Sequence, residues 1–224
     1  MTTPELKLWR QLVITSAVIA ITLFLCAGTI AYWQAWLYLA VGALISIPLT
    51  RLMLTDRALL ESRTRAGPAA ERRPIQKVIV ACLAAASFAA FVLPGLDHRF
   101  GWSSVPSWLA ICGNAVIVLA MWLCYRVFQE NRYGSATVEI GQGQHVISTG
   151  PYAIVRHPMY SAAALYFVGM TLALGSWWGL VPAAFMTLGF VWRLFDEEKF
   201  LAENLPRHTD YCAKVRWRLM PGVF

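Results

Sequence analysis

The sequence has few charged residues and few cysteines. Charged residues make up 14% of its 224 residues and hydrophobic residues 58%, against about 25% and about 45–50% in an ordinary soluble domain. The five cysteines show neither CxxC nor metal-ligand spacing, and the four histidines form no HxxxH pair. These spacings lead us to expect no disulfide and no metal site. The apolar composition leads us to expect that the chain lies in a membrane.

Continuous apolar runs occupy most of the chain. A helix needs about 20 apolar residues to cross a bilayer, and lipid leaves no backbone polar group unpaired, which favours helices over a barrel. The sequence predicts an all-α integral membrane protein with six transmembrane helices, of which the last two form a hairpin. They run from Gln11 to Tyr32, Ala35 to Leu54, Ile75 to Leu96, Ser107 to Phe128, Tyr160 to Leu174 and Trp178 to Phe195.

The chain shows no internal repeat, and no segment outside the membrane is long enough to build its own core. We predict a single membrane domain over residues 1–224, with a four-helix N-terminal part over residues 1–128 and a C-terminal part over residues 129–224. Two β-branched runs in the C-terminal part, residues 136–140 and 145–148, have the pattern of a local strand pair around a Gly-rich turn.

The basic residues are distributed asymmetrically. Six crossings put both termini on one side, and every Lys and Arg except Arg99 then falls on that side. Cytoplasmic loops carry the excess of basic residues, so we predict a multi-pass protein whose termini and working face are cytoplasmic. The net charge of +7 suits anionic membrane lipids. The sequence has no basic motif with interleaved aromatic residues, so we expect no nucleic-acid partner.

One short segment, residues 150–160, concentrates polar groups at the mouth of an apolar run, and we call it the motif segment. Pro158 suits the first turn of a helix and disfavours helical geometry at His157. Arg156 and His157 should therefore lie just before a helix N-terminus, whose amides favour anions. The alternative interpretation is that Arg156 reaches lipid headgroups and His157 caps the helix.

The predicted hairpin returns the chain to the motif segment. Its two cytoplasmic ends must be neighbours, so Glu197 and Glu198 should approach Arg156 and His157. Adjacent residues on a helix point about 100° apart, so at most one of these glutamates is expected to face the same ligand as Arg156. Arg193 lies four residues before Glu197, and this spacing favours an ion pair.

These residues resemble the isoprenylcysteine carboxyl methyltransferase (ICMT) family and its bacterial phospholipid-methyltransferase-like relatives. The resemblance runs from about Asn131 to the C-terminus. It is carried by Gly150-Pro-Tyr152, Arg156-His-Pro-Met-Tyr160, Glu197-Glu198, Tyr211 and Arg218-Leu-Met-Pro221. The chain departs from the family pattern at Gln144, where a histidine is common, and His145 follows one residue later.

The resemblance implies S-adenosylmethionine as methyl donor and a lipophilic acceptor that enters from the bilayer. Residues 129–224 would then be the catalytic part, with a cytoplasmic cofactor-binding tail. The implied catalytic residues are Arg156, His157 and Glu198. The implied cofactor-binding residues are Gly150, Pro151, Tyr152, His157, Pro158, Tyr160, Glu197 and Glu198.

The chemistry of the acceptor stays open at this point. Arg156 would orient an acceptor carboxylate such as that of an isoprenylcysteine-like molecule, whereas an amine acceptor would need a base, for which His157 or Glu198 is the nearest candidate. A phospholipid amine, another lipophilic acid or a thiol remain alternatives. Outside this class, the alternatives are an NADPH-dependent membrane lipid or sterol reductase and a non-enzymatic membrane scaffold. The sequence does not indicate an oligomeric state.

Overall fold

The computed structural model describes residues 3–55, residue 60, residues 73–131 and residues 145–224. Within these ranges the chain is helical and contains no strand, and most of the strand pair predicted over residues 136–148 lies outside them. A 3₁₀ turn spans Gly150–Ala153. The described α-helices are α1 Thr3–Ala27, α2 Trp33–Thr55, α3 Pro74–Phe100, α4 Ser107–Glu130, α5 Pro158–Ala173, α6 Leu180–Asn204 and α7 His208–Lys214.

The first four helices are each long and apolar enough to cross a membrane. The predicted crossings match α2, α3 and α4 to within a few residues. The first predicted crossing, Gln11 to Tyr32, was set too far along the chain. Gly28 has a φ of +66°, a left-handed conformation that commonly ends a helix, so α1 stops at Ala27 although apolar residues follow it.

Helices α5 and α6 form the predicted hairpin. Helix α5 has 16 residues and is about 24 Å long, whereas the hydrocarbon core is about 30 Å thick. Helix α6 continues from apolar residues into a charged segment that begins at Asp196 and ends at Asn204. The two helices pack on each other and on the longer helices. The count of six crossings therefore remains a prediction for these last two.

The outward surfaces of the long helices are apolar. Large exposed side chains include Val13, Ile21, Leu25, Leu44, Phe88 and Ile111. The interior holds a second apolar set that includes Leu23, Ile117, Met170 and Leu174. Helices that are hydrophobic all round are typical of membrane spans, and this surface agrees with the membrane location predicted from composition. None of the five cysteines forms a disulfide within the described part of the chain.

One end of the bundle is held by a buried carboxylate. Asp97 at the end of α3 accepts hydrogen bonds from the Ser103 amide at 2.7 Å and from the hydroxyls of Ser103 and Ser176. The Tyr32 hydroxyl donates to the carbonyl oxygen of Leu174. These bonds attach the α5–α6 turn to the α1–α2 connection and to the end of α3. They fix the direction in which the hairpin returns toward the opposite end of the bundle.

Helices α4 and α5 pack with their backbones in contact at Gly113. A Cβ atom there would lie 2.4 Å from the Ala173 amide nitrogen and 2.7 Å from the Gly169 carbonyl oxygen. Gly42 in α2 is different, because nothing lies within 4 Å of its position for a Cβ. Gly113 therefore sets the separation of α4 and α5.

Gly113→Ala is expected to lower the midpoint of thermal unfolding in detergent, because overpacking of this kind costs about 1–3 kcal/mol. Gly42→Ala is the matched control and should leave the midpoint unchanged or slightly raised. The midpoints would be measured by circular dichroism on purified protein. Equal midpoints for the two variants would contradict the close packing of α4 on α5.

Candidate active site

The polar end of the bundle lies opposite the Asp97 cluster. There the start of α5 and the charged end of α6 meet the C-terminal tail, residues 215–224. The Arg156 amide donates to the Trp217 carbonyl oxygen and the His157 amide to that of Arg218, both at 2.9 Å. The motif segment and the tail are thus joined through their backbones.

Proline starts α5 where the sequence predicted. Pro158 occupies the first turn, and His157 before it has the non-helical angles φ −123° and ψ 62°. The Ser161 hydroxyl, one turn into the helix, donates to the Leu219 carbonyl oxygen at 2.6 Å. The helix start is therefore clamped to the tail, which holds the His157 side chain against α6.

Glu198 is the centre of a buried cluster of charges. Its Oε1 lies 3.1 Å from Arg156 Nη1 and 3.2 Å from His157 Nε2, and its Oε2 accepts from Arg218 Nε at 3.1 Å. The Glu198, Arg156 and His157 side chains are 13%, 9% and 8% exposed. Burial by itself would raise the pKa of Glu198, but the hydrogen bonds and charges of His157, Arg218 and Arg156 overcome it and lower the pKa to about 2.

Glu197 has a different set of partners. Its Oε2 accepts a hydrogen bond from the Tyr160 hydroxyl at 2.5 Å, and that hydroxyl accepts from Arg193 Nε at 3.0 Å. Tyr160 stacks on His157 with ring centroids 5.6 Å apart and on Phe190 at the same distance. Tyr160 therefore stands between Arg193 and Glu197, for which the sequence spacing predicted an ion pair.

Residues 150–152 support the site from the side of α4. Gly150 has a φ of +56°, and a Cβ there would lie 2.6 Å from Glu130 Cγ, so only glycine fits without strain. Pro151 lies in the 3₁₀ turn. The Tyr152 hydroxyl accepts from Asn131 Nδ2 at 2.9 Å, and its carbonyl oxygen accepts from the Tyr211 hydroxyl at 2.8 Å. These contacts connect the motif segment to α4 and α7.

The structure therefore gathers Arg156, His157, Glu198 and Arg218 in one cluster and Tyr160, Glu197 and Arg193 in a neighbouring one. Pro158 is buried beside them. The contacts of Gly150, Pro151 and Tyr152 described above are with α4, α7 and their own turn. Gln144, the departure from the family pattern, lies outside the described residues, and His145 is exposed.

Three residues near the site were not singled out by the sequence. His208 is 6% exposed, and burial lowers its pKa, opposed by the charge of Glu198 and assisted by those of His157 and Arg156. Arg73 and Gln76, at the start of α3, contact the charged segment of α6. For Gln76 the sequence carries a weak signal, because it is a polar residue in the first turn of an otherwise apolar helix.

The guanidinium of Arg156 has one hydrogen-bond donor that is not used within the described residues. Its Nη1 contacts Glu198 and its Nη2 donates to the Arg216 carbonyl oxygen at 3.3 Å. Its Nε is buried and has no hydrogen-bond partner among the described residues. Two arginines, Arg156 and Arg218, also share the single carboxylate of Glu198. The cluster thus carries a surplus of positive charge and a buried donor, which together suit an anionic group.

Most residues of the two clusters lie in a part of the chain that matches a known protein family. Residues 108–207 match the family model PEMT, phospholipid methyltransferase, and the matched range contains the motif segment, the hairpin and both glutamates. No curated protein matches the chain significantly. The family resemblance expected from the motifs is therefore confirmed over residues 108–207, which are similar to the ICMT-like phospholipid methyltransferase family.

Proposed function

We propose that this protein transfers a methyl group from S-adenosylmethionine to a lipophilic acceptor in the membrane, and that the acceptor group is a carboxylate such as that of an isoprenylcysteine-like molecule. The observation that supports this most strongly is the surplus positive charge at Arg156, with its buried Nε, beside the Tyr160–Glu197 pair. An anionic acceptor group and a cationic donor would find complementary partners side by side.

The residues of the second cluster fit such a donor. S-adenosylmethionine supplies a methyl group that is already activated by a sulfonium. Glu197 offers a carboxylate for a cationic group, and among the described residues only one of its oxygens, Oε2, has a hydrogen-bond donor, the Tyr160 hydroxyl. The protein's task is then to align the reactants and exclude water, and positioning of this kind can supply about 7–11 kcal/mol.

Arg156 distinguishes between acceptor classes. A carboxylate acceptor would need no base, because it has no proton to lose when its oxygen takes the methyl group, the carbon–sulfur bond breaks and S-adenosylhomocysteine leaves as a neutral thioether. The guanidinium of Arg156 would hold that carboxylate in line. A protonated amine would need a base. The two candidate bases contact each other, with His157 Nε2 3.2 Å from Glu198 Oε1, and Glu198 also contacts Arg156 and Arg218. A phospholipid amine remains the alternative, because a headgroup phosphate would also pair with Arg156.

We further propose that both termini and this site face the cytoplasm, with the acceptor reaching the site from the bilayer. The asymmetry of the basic residues supports that orientation. The two other interpretations, a reductase and a non-enzymatic scaffold, are disfavoured by the methyltransferase family of residues 108–207.

The acceptor class can be tested with methyl-labelled S-adenosylmethionine and a panel of lipid extracts, followed by identification of the labelled product. Mild base hydrolyses a methyl ester and releases volatile labelled methanol, whereas an N-methyl product keeps its label. We expect a base-labile product. A base-stable product would favour the phospholipid amine, and no transfer to any fraction would contradict the proposed activity.

Glu197→Gln and His157→Ala are each expected to weaken donor binding by about tenfold, because each removes a group that holds or contacts the proposed donor pocket. Glu203→Gln makes the same change of charge at an exposed position of α6 and serves as the control. Affinity would be measured by equilibrium dialysis with labelled donor. If both site variants bind as tightly as Glu203→Gln, the site assignment is wrong.

A further inference from the structure

A chain of hydrogen bonds links α3 to Glu197. Gln76 in the first turn of α3 is fully buried. Its Nε2 donates to Asp196 Oδ2, and its Oε1 accepts from Arg193 Nη1 at 3.0 Å. Arg193 Nε in turn donates to the Tyr160 hydroxyl at 3.0 Å. The chain of bonds ends where that hydroxyl donates to Glu197.

We infer that Gln76 is a positioning residue for Glu197, acting through Arg193 and Tyr160. Helix α3 lies outside the range that matches the family model, residues 108–207. The N-terminal part of the chain would thus complete the active site of the C-terminal part. The inference rests on the proposed role of Glu197 in holding the methyl donor.

The chemistry of the amide explains why glutamine occupies this position. Arg193 is always a donor and Asp196, as a carboxylate, only an acceptor. A side chain placed between them must accept on one side and donate on the other, which an amide does and an ionised carboxylate or an apolar group does not. Loss of either hydrogen bond in this buried setting would cost free energy.

The direction of the Tyr160 hydroxyl follows from the same reasoning. A phenol has one proton to donate. Arg193 Nε donates a hydrogen bond to the Tyr160 oxygen, so the hydroxyl hydrogen of Tyr160 points away from Arg193 and is donated to Glu197 Oε2. Gln76 fixes the guanidinium of Arg193, and so it fixes the orientation in which Tyr160 holds Glu197.

The outer end of the chain of bonds is anchored as well. Arg73 donates to both oxygens of Asp196, at 2.6 Å and 2.8 Å, and its guanidinium lies 5.3 Å from the centre of the Phe200 ring. This bidentate pair holds Asp196 in the geometry that receives the Gln76 amide. The start of α3 is therefore attached to α6 at two successive points.

The inference is tested by measuring S-adenosylmethionine binding to the purified protein in detergent. Gln76→Leu should lose about tenfold in affinity, because Arg193 loses the acceptor that orients its guanidinium toward Tyr160. Gln76→Glu keeps an acceptor for Arg193 but places a carboxylate against Asp196, so it should bind better than Gln76→Leu and less well than the wild type. The reverse order would overturn the inference.

The matched control is Ser87→Ala on the same helix. The Ser87 hydroxyl contacts Met186 Sδ at 3.6 Å in the same α3–α6 interface, and residue 87 lies about 16 Å along the helix from Gln76. This variant should bind the donor as the wild type does. Equal losses in Ser87→Ala and Gln76→Leu would mean that Gln76 serves helix packing alone.

A double-variant cycle separates positioning from general stability. If Gln76 acts through Glu197, the Gln76→Leu, Glu197→Gln double variant should bind within about twofold of Glu197→Gln alone. Losses that multiply would overturn the inference. Should Gln76→Leu not fold, Gln76→Glu takes its place in the cycle with the same expectation. A wild-type protein that binds no donor would contradict the proposed function itself, whereas a binding wild type with an unaffected Gln76 variant would contradict this inference only.

Discussion

Replacing Glu198 with glutamine is expected to abolish most of the activity and to lower the stability of the protein. The Glu198 carboxylate is the shared partner of Arg156, His157 and Arg218. Without its charge, two guanidinium groups would remain close together in a largely buried cluster. We expect methyl transfer to fall by about 100-fold or more, because these groups would no longer be held together.

The loss of stability follows from the same contacts. Removing one partner of a fully buried ion pair costs about 3–5 kcal/mol. Arg218 is 31% exposed, so water screens part of the interaction and we expect a loss of about 2 kcal/mol. Unfolding would be followed in detergent, with Glu203→Gln as control. Wild-type stability in Glu198→Gln would contradict the central place of this carboxylate.

The pH dependence of stability gives this prediction a distinct signature. The pKa of Glu198 is lowered from its ordinary value of 4.5 to about 2. A carboxylate with a lowered pKa in the folded state stabilises the protein above its unfolded pKa, and this contribution is lost as the pH falls toward the folded pKa. Stability should therefore decline between about pH 4.5 and pH 2, and Glu198→Gln should remove that part of the decline.

Replacing Arg156 with alanine is expected to reduce methyl transfer far more than donor binding. Arg156 carries the buried Nε that suits an anionic acceptor, whereas Glu197 and Tyr160 form the proposed donor side. Loss of a group that holds the reacting anion typically costs about 100- to 1,000-fold in rate. Glu198 keeps His157 and Arg218 as partners, so donor affinity should change by less than about threefold.

Two further variants sharpen this test. Arg156→Lys keeps the charge but loses the planar fork, so it should restore only part of the rate. Arg216→Ala removes an exposed guanidinium two residues before Arg218 and should leave both rate and affinity near wild type. Rates and affinities would be measured separately. An Arg156→Ala variant that loses donor binding in proportion to rate would place Arg156 on the donor side.

Much of the site was predictable because its signals are local. Pro158 marked the start of α5, and the hairpin brought Glu197 and Glu198 to Arg156 and His157 by topology alone. The departures have physical causes that periodicity does not show. Gly28 ends α1 within an apolar run by adopting a positive φ.

The sequence did not predict which partners each of the two glutamates, Glu197 and Glu198, contacts. Their 100° separation on the helix indicated different partners, but which partner each would meet depends on how α6 is rotated in the bundle. The role of Gln76 depends on the packing of α3 against α6, where Gln76 meets residues 117 and 120 positions further along the chain. Such contacts leave no mark on local sequence patterns.

The proposed donor side is the cluster of Tyr160, Glu197 and Arg193, and equilibrium binding of the methyl donor to the purified protein tests that assignment. Labelled S-adenosylmethionine and labelled NADPH would be offered separately to the wild type and to Glu197→Gln. We expect saturable binding of S-adenosylmethionine, displacement by S-adenosylhomocysteine, a weaker affinity in Glu197→Gln and no retention of NADPH. Retention of NADPH without S-adenosylmethionine, or donor binding that is indifferent to Glu197, would contradict that assignment.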